Sequence, residues 1–137
     1  MTATLITRNE AQEDSNAILA GLGTSISEVT GSLLASADGH PLASNLNPAQ
    51  EKSTAAIVAS SFALGQKLAE VGGSATAEEM IVRHENGYVA LYAVGFEAAL
   101  VVLTTQDINL GMLKLKSAVA VKELGILIPA LFTRGVQ

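Results

Sequence analysis

The sequence predicts an α+β domain in which a five-stranded antiparallel sheet carries helices on both faces, in the order α-β-β-α-β-β-β-α. Two tight-turn dipeptides, Asp38-Gly39 and Asn86-Gly87, lie between strand-forming runs, which favours antiparallel hairpins. The segments Tyr88–Val94 and Glu97–Thr105 are apolar on both faces, as strands covered from above and below are. The length of 137 residues suits a single domain.

The first predicted elements are a helix and a hairpin. The helix spans about Glu10 to Ile26, because its apolar residues recur at three- and four-residue spacing. From Val29 to Ala37 the pattern changes to the alternation of a strand. The returning strand, Leu42–Leu46, is expected at an edge of the sheet, because Pro41 has no N–H to donate to an inner ladder.

The second helix is predicted to begin at Asn47-Pro48 and to end at Gly72-Gly73. It carries two apolar stripes where a surface helix of a monomer usually carries one. The first stripe consists of Ala55, Val58, Ala59, Phe62 and Ala69. The second consists of Ile57, Leu64, Leu68 and Val71. The pattern therefore predicts that this helix buries two faces, one against its own sheet and one against another surface.

Three strands and a final helix complete the predicted order. The strand Glu79–Glu85 alternates and leads through the Asn86-Gly87 turn into the two doubly apolar strands. The final helix begins near Asn109 and is predicted to end before Pro129, because proline removes a helical hydrogen bond.

Three stretches, in this order and at this spacing, make the sequence similar to the Roadblock/dynein light-chain family. They are Val29–Ser44, with its D-G-x-P-L-A turn, the Asn86-Gly87-Tyr88 hairpin, and Thr104–Leu113, with an N-x-G step at the start of the last helix. The resemblance covers about Asn9 to Phe132. One departure is visible: the final helix carries few charges where family members commonly carry more, so its outer surface is expected to be covered.

The resemblance implies both a fold and a mode of action. Family members resemble longin and profilin-like domains and form homodimers whose sheets join edge to edge, with the second helices side by side. Bacterial members are non-catalytic partners of small Ras-like GTPases, and eukaryotic members serve in dynein and in nutrient-sensing scaffolds. We therefore expect a single domain over residues 9–132, flexible termini at 1–8 and 133–137, and a homodimer that regulates or scaffolds a small GTPase.

The second helix is predicted to carry the sites. The dimer interface is expected at the first stripe: Ala55, Val58, Ala59, Phe62 and Ala69. The surface for the GTPase is expected on the polar arc of the same helix: Ser53, Ser60, Lys67 and Glu70.

Composition restricts the classes of function. Thirteen acidic residues against eight basic ones give a net charge of −5, which disfavours nucleic-acid binding because phosphates require a basic surface. Cysteine is absent, so disulfides, thiolate metal sites and cysteine nucleophiles are excluded. No segment has the pattern of a signal peptide or a membrane span, so a cytoplasmic protein without direct membrane insertion is expected.

Candidate catalytic residues are few, and we expect no enzyme, metal or cofactor. Asp38, His40 and Ser44 have the residue types of a catalytic triad, but triad residues seldom cluster in one hairpin, and turn chemistry is favoured. Two histidines in separate hairpins are too few for a metal site. Glu78-Glu79 would point to opposite faces of a strand. Arg83 is the candidate for an arginine finger, but its position on a strand does not favour that role.

The rival hypothesis is a small-ligand sensor of profilin-like architecture. Such a pocket needs several converging polar groups, whereas the predicted core faces are almost wholly apolar. An enclosed cavity lined by the hydroxyl group of Tyr88 or Tyr92 would favour the sensor.

Overall fold

The structure is a computed structural model that describes residues 6–132. It contains helices α1 (Arg8–Ser25), α2 (Glu51–Val71) and α3 (Leu110–Leu131), and strands β1 (Val29–Ser36), β2 (Pro41–Ser44), β3 (Glu79–His84), β4 (Gly87–Val94) and β5 (Ala98–Thr105). A short 3-10 turn, Pro48–Gln50, precedes α2. The predicted order of three helices and five strands is confirmed.

The five strands form one antiparallel sheet in the order β2-β1-β5-β4-β3. Pro41 begins β2, and β2 lies at one edge, as the proline predicts. The strand β3 forms the other edge and pairs on one side with β4. The pairing of β1 with β5 joins the β1–β2 hairpin to the β3–β4–β5 strands. Residues distant in sequence therefore meet at the centre of the sheet.

Both faces of the sheet are covered, which explains the doubly apolar strands. Leu34, Leu100 and Val102 lie in the core cluster beneath α1 and α3. Their chain neighbours Leu33 and Val101 point the other way and pack beneath α2. The helices therefore divide two to one between the faces, and α2 is alone on its side.

Helix α1 begins at Arg8, one residue before the predicted domain boundary at Asn9. Thr7 caps α1 with a capping box: the Glu10 N–H donates to Thr7 Oγ1 at 3.0 Å, and the Thr7 N–H donates to Glu10 Oε1 at 3.1 Å. Ile6 packs against the core. Residues 1–5 and 133–137, the remainder of the predicted flexible termini, lie outside the described residues.

The prediction that the final helix ends before Pro129 is wrong, because α3 continues to Leu131. Pro129 lies in the last turn, so little helix follows the residue whose N–H is missing. Leu131 is buried, and full burial of a leucine side chain contributes about 1.5–3 kcal/mol. That burial offsets much of the proline's cost of about 3 kcal/mol.

The hairpin turns lie where the sequence places them, but their backbone geometry differs from the expected tight turn. Asn86 and Asp38 both have negative φ, and positive φ in the described chain occurs only at glycines, including Gly39 at 91° and Gly87 at 156°. Gly87 is the first residue of β4, so the connection from β3 consists of Glu85 and Asn86. The glycine therefore serves strand packing as well as the turn.

Candidate self-association and partner surfaces

The inner face of α2 packs on the chain's own sheet. Ala55, Val58 and Phe62 are buried with Leu33 and Val101 in one hydrophobic cluster. The prediction that these three side chains form a dimer interface is therefore wrong, because they already cover the sheet of their own chain. The other two predicted interface residues, Ala59 and Ala69, are half-buried at the margins of this face.

The second stripe of α2 is the one that faces away from the sheet. Its four large side chains are 65–84% exposed: Ile57, Leu64, Leu68 and Val71. The sequence indicates two apolar faces, and the structure packs the first stripe on the sheet and leaves the second one exposed. The signal that distinguishes them is Gly65, one turn after Phe62 on the inner face, where a Cβ would collide with the sulfur of Met80.

A groove between α2 and β3 joins the exposed stripe to the edge of the sheet. It has a volume of about 390 Å³, and its lining includes Leu64, Leu68, Val71 and Met80. Beside it, Val82 of β3 is also exposed on the same face of the sheet as Met80, and the outer side of β3 is unpaired by the described residues. A large apolar patch next to an unpaired strand edge is typical of a protein–protein interface.

The predicted partner residues are all exposed, but the structure divides them. Lys67 and Glu70 line a second cavity of about 350 Å³ between α2 and the tip of the sheet. Ser53 and Ser60 lie outside this cavity, and the Ser53 hydroxyl donates to the Gln50 carbonyl oxygen at 3.2 Å. The sequence analysis missed Phe96, which lines the same cavity and is 83% exposed. Its signal was an aromatic residue directly after a turn glycine, Gly95.

The triad-like residues form a turn. The Ser36 hydroxyl donates to Asp38 Oδ1, the His40 N–H donates to Ser36 Oγ at 3.0 Å, and His40 Nε2 lies 3.7 Å from Asp38 Oδ2. Ser44 is engaged elsewhere, because its Oγ accepts from the Leu46 N–H at 3.0 Å. This arrangement closes the β1–β2 turn, and no serine hydroxyl of the described residues hydrogen-bonds to the His40 imidazole.

The Ser36 hydrogen bond holds the pKa of Asp38 below its usual value of 3.8. Because the folded chain favours the carboxylate, this contact contributes stability above that value and loses it as the pH falls through the lowered pKa. We expect Ser36→Ala to move the pKa of Asp38 upward, measured by an NMR titration of the side-chain carboxyl. Ser44→Ala serves as the control, and an unchanged Asp38 pKa in Ser36→Ala would contradict the assignment.

The remaining candidate residues are separated from one another. His84 Nδ1 accepts from the Asn86 N–H at 3.2 Å, and Glu79 pairs with Lys114 of α3 at 3.6 Å. Within residues 6–132, no three histidine, aspartate or glutamate side chains are grouped so as to hold a metal ion. None of the helices in that range combines the length and apolarity that a membrane span requires.

The two tyrosines named for the sensor hypothesis lie apart. Tyr92 is buried beneath α3, and burial raises the pKa of its phenol. Tyr88 lines a polar depression of about 560 Å³ with Arg83 and Asp107, open to solvent at the end of the β3–β4 hairpin. Neither tyrosine gives the enclosed polar pocket that would favour a sensor.

The antiparallel sheet carries one helix on one face and two on the other, so the described residues form a three-layer α+β domain. The single helix α2 leaves an apolar stripe exposed to solvent. The sequence model of the Roadblock/LC7 domain matches residues 17–104, and the chain belongs to this family. A comparison with curated proteins finds no match.

Solved structures share the fold at low sequence identity. The Roadblock/LC7 domain from Streptomyces avermitilis is 22% identical, with a TM-score of 0.77 over 86% of this chain and 98% of that chain. The gliding protein MglB from Thermus thermophilus is 23% identical, with a TM-score of 0.80 over 93% and 97%. MglB from Myxococcus xanthus is 21% identical, with a TM-score of 0.78 over 86% and 97%.

Proposed function

We propose that this chain is a cytoplasmic, non-catalytic homodimer that binds a small Ras-like GTPase and regulates or scaffolds it. Membership of the Roadblock family supports the GTPase partner, because bacterial members have that role. The fold shared with the gliding protein MglB agrees with this proposal. The functional unit is the single domain whose predicted limits were 9–132, extended at its start to Ile6.

The exposed stripe of α2 beside the open edge of β3 carries the proposal. Leaving Leu64, Leu68 and Val71 in water is costly, since burial of apolar surface contributes about 25 cal/mol per Å². A second copy would cover the stripe with the same stripe and pair its β3 with this β3, which also removes the open edge. The inner face of α2 then holds the monomer together, and the outer face joins two monomers.

The GTPase is proposed to contact the polar side of α2 near Lys67 and Glu70, where Phe96 adds an exposed aromatic anchor. The test uses purified small Ras-like GTPases of the source organism, loaded with GDP or a non-hydrolysable GTP analogue, in isothermal titration calorimetry. We expect one nucleotide state to bind at least about tenfold more tightly, a difference of about 1.4 kcal/mol. Phe96→Ala should weaken binding, and Glu13→Lys on α1 is the control. Absence of binding in both states would refute the proposal.

Arg83 is not expected to act as an arginine finger in this complex. It is exposed on the edge strand β3, away from the cavity that Lys67 and Glu70 line. If the chain stimulates GTP hydrolysis, Arg83→Ala should retain that stimulation within about tenfold, because losing a true finger costs about 10³–10⁵ in rate. Single-turnover hydrolysis with and without the variant makes the comparison, and a loss of a thousandfold would establish the finger.

A further inference from the structure

A second apolar surface lies on α3, on the opposite side of the sheet from α2. The inner face of α3 is buried through Leu113, Ala120 and Leu124. The outer face carries four large apolar side chains that are 46–75% exposed: Met112, Leu115, Val119 and Ile126. The sparse charge of this helix leads to the expectation that its outer surface is covered, but within the described chain this surface is apolar and exposed.

The exposed side chains follow the spacing of a coiled-coil seam. Met112, Leu115, Val119, Lys122 and Ile126 alternate in steps of three and four residues, the a and d positions of a heptad repeat. One flank of the seam carries Lys116 and Glu123, seven residues apart and both exposed. The other flank carries the small residues Ala118 and Gly125, which allow close approach. These are the features of a helix that pairs with another helix.

The seam is complementary to itself when two copies run antiparallel. In the antiparallel register that places Leu115 opposite Ile126 of the second copy, the two-fold axis passes between Ala120 and Val121. On the charged flank, Lys116 then lies two residues along the axis from Glu123 of the second copy, about 3 Å. The two-fold axis generates the same pair a second time. The contact therefore contains two ion pairs, each joining Lys116 of one copy to Glu123 of the other.

Lys122 selects this orientation over a parallel one. In a parallel pair, the two Lys122 ammonium groups would face each other across the seam and repel. In the antiparallel pair, Lys122 instead lies opposite Val119, where its aliphatic stem covers the valine and its ammonium reaches solvent. Beside the seam, α1 exposes Ala17, Ala20 and Gly21, whose small side chains leave room for the second copy.

We propose that a second copy of this chain docks antiparallel on the outer face of α3, through the apolar seam and the two Lys116–Glu123 pairs. This surface is on the opposite side of the sheet from the α2 stripe. With both interfaces in use, dimers formed through α2 are joined through α3 into larger assemblies, either closed or extended. The chain then presents its partner-binding face in several copies.

The test is sedimentation equilibrium of the full chain in a Leu68→Glu background, which disables the α2 stripe and needs neither GTPase nor nucleotide. We expect this chain to associate in pairs, and Ile126→Glu to abolish the pairing. Lys116→Glu alone or Glu123→Lys alone should weaken pairing at least about tenfold, roughly 1.4 kcal/mol, by placing like charges together. The double reversal Lys116→Glu/Glu123→Lys should restore it, as should mixing the two single variants.

Circular dichroism and thermal unfolding of each variant control for loss of fold. A Leu68→Glu chain that is folded and monomeric at every concentration would overturn the proposal. Single charge reversals that leave pairing unchanged would also overturn it. An acidic partner helix as the true occupant would give the first of these results, and such a failure leaves the proposed GTPase function untouched.

Discussion

Phe62→Ala is expected to lower the free energy of unfolding by about 3–5 kcal/mol, the range for removing a buried aromatic ring. Phe62 is the largest side chain in the cluster that joins α2 to the sheet, where it packs with Val58, Leu91 and Val101. Because α2 is the only helix on its side of the described domain, no second helix can move in to fill the cavity. The loss therefore weakens the whole α2 layer.

Urea or guanidinium unfolding followed by circular dichroism measures this loss. Wild type and variant must be compared at one protein concentration, because the stability of a dimer depends on concentration. Lys52→Ala, exposed on the same helix but away from the apolar stripe, is the matched control and should change stability by less than about 0.5 kcal/mol. A Phe62→Ala loss no larger than that of the control would mean that α2 does not depend on its inner face.

Gly87→Ala is expected to cost more than about 3 kcal/mol, for two reasons that add. The φ of Gly87 is 156°, which disfavours a residue with a Cβ. In addition, a Cβ at this position would overlap the carbonyl oxygen of Thr104 on β5. Relief requires β4 to move away from β5, and that pairing lies at the centre of the sheet.

Gly73→Ala separates the two causes. Gly73 also has positive φ, at 89°, but an added Cβ would have no neighbour within 4 Å. The free energy of unfolding of this control should therefore fall only by the cost of placing an alanine at positive φ, about 1–2 kcal/mol. Equal losses for Gly73→Ala and Gly87→Ala, measured by thermal or chemical unfolding, would show that the contact with Thr104 is unimportant.

Local signals in the sequence were enough to predict the architecture. Asp38-Gly39 and Asn86-Gly87 mark the connections between strands, Pro41 marks the edge strand, and Gly72 ends α2 after Val71. Each of these residues acts through its own backbone, so its effect is visible without knowledge of distant contacts. The doubly apolar strands at Tyr88–Val94 and Glu97–Thr105 then require cover on both faces.

The candidate sites were harder to predict because they depend on which face of α2 packs on the sheet and which face stays exposed. Both stripes of α2 are apolar, and tertiary packing decides which one faces the sheet: Val58 and Phe62 pack on strand residues, and Gly65 leaves room for the approach of Met80. That approach joins β3 to α2 and has no local pattern. The continuation of α3 past Pro129 likewise depends on tertiary burial of Leu131, which offsets much of the proline's local cost.

The most direct test of the central claim, that the outer stripe of α2 meets a second copy, is the mass of the chain in solution by sedimentation equilibrium. An Ile126→Glu background removes any association through α3. There we expect twice the 14.1 kDa chain mass, a single-chain mass when Leu68→Glu is added, and no change when Gln12→Glu on the exposed side of α1 is added instead. A folded chain that is monomeric without Leu68→Glu, or still dimeric with it, would contradict the account.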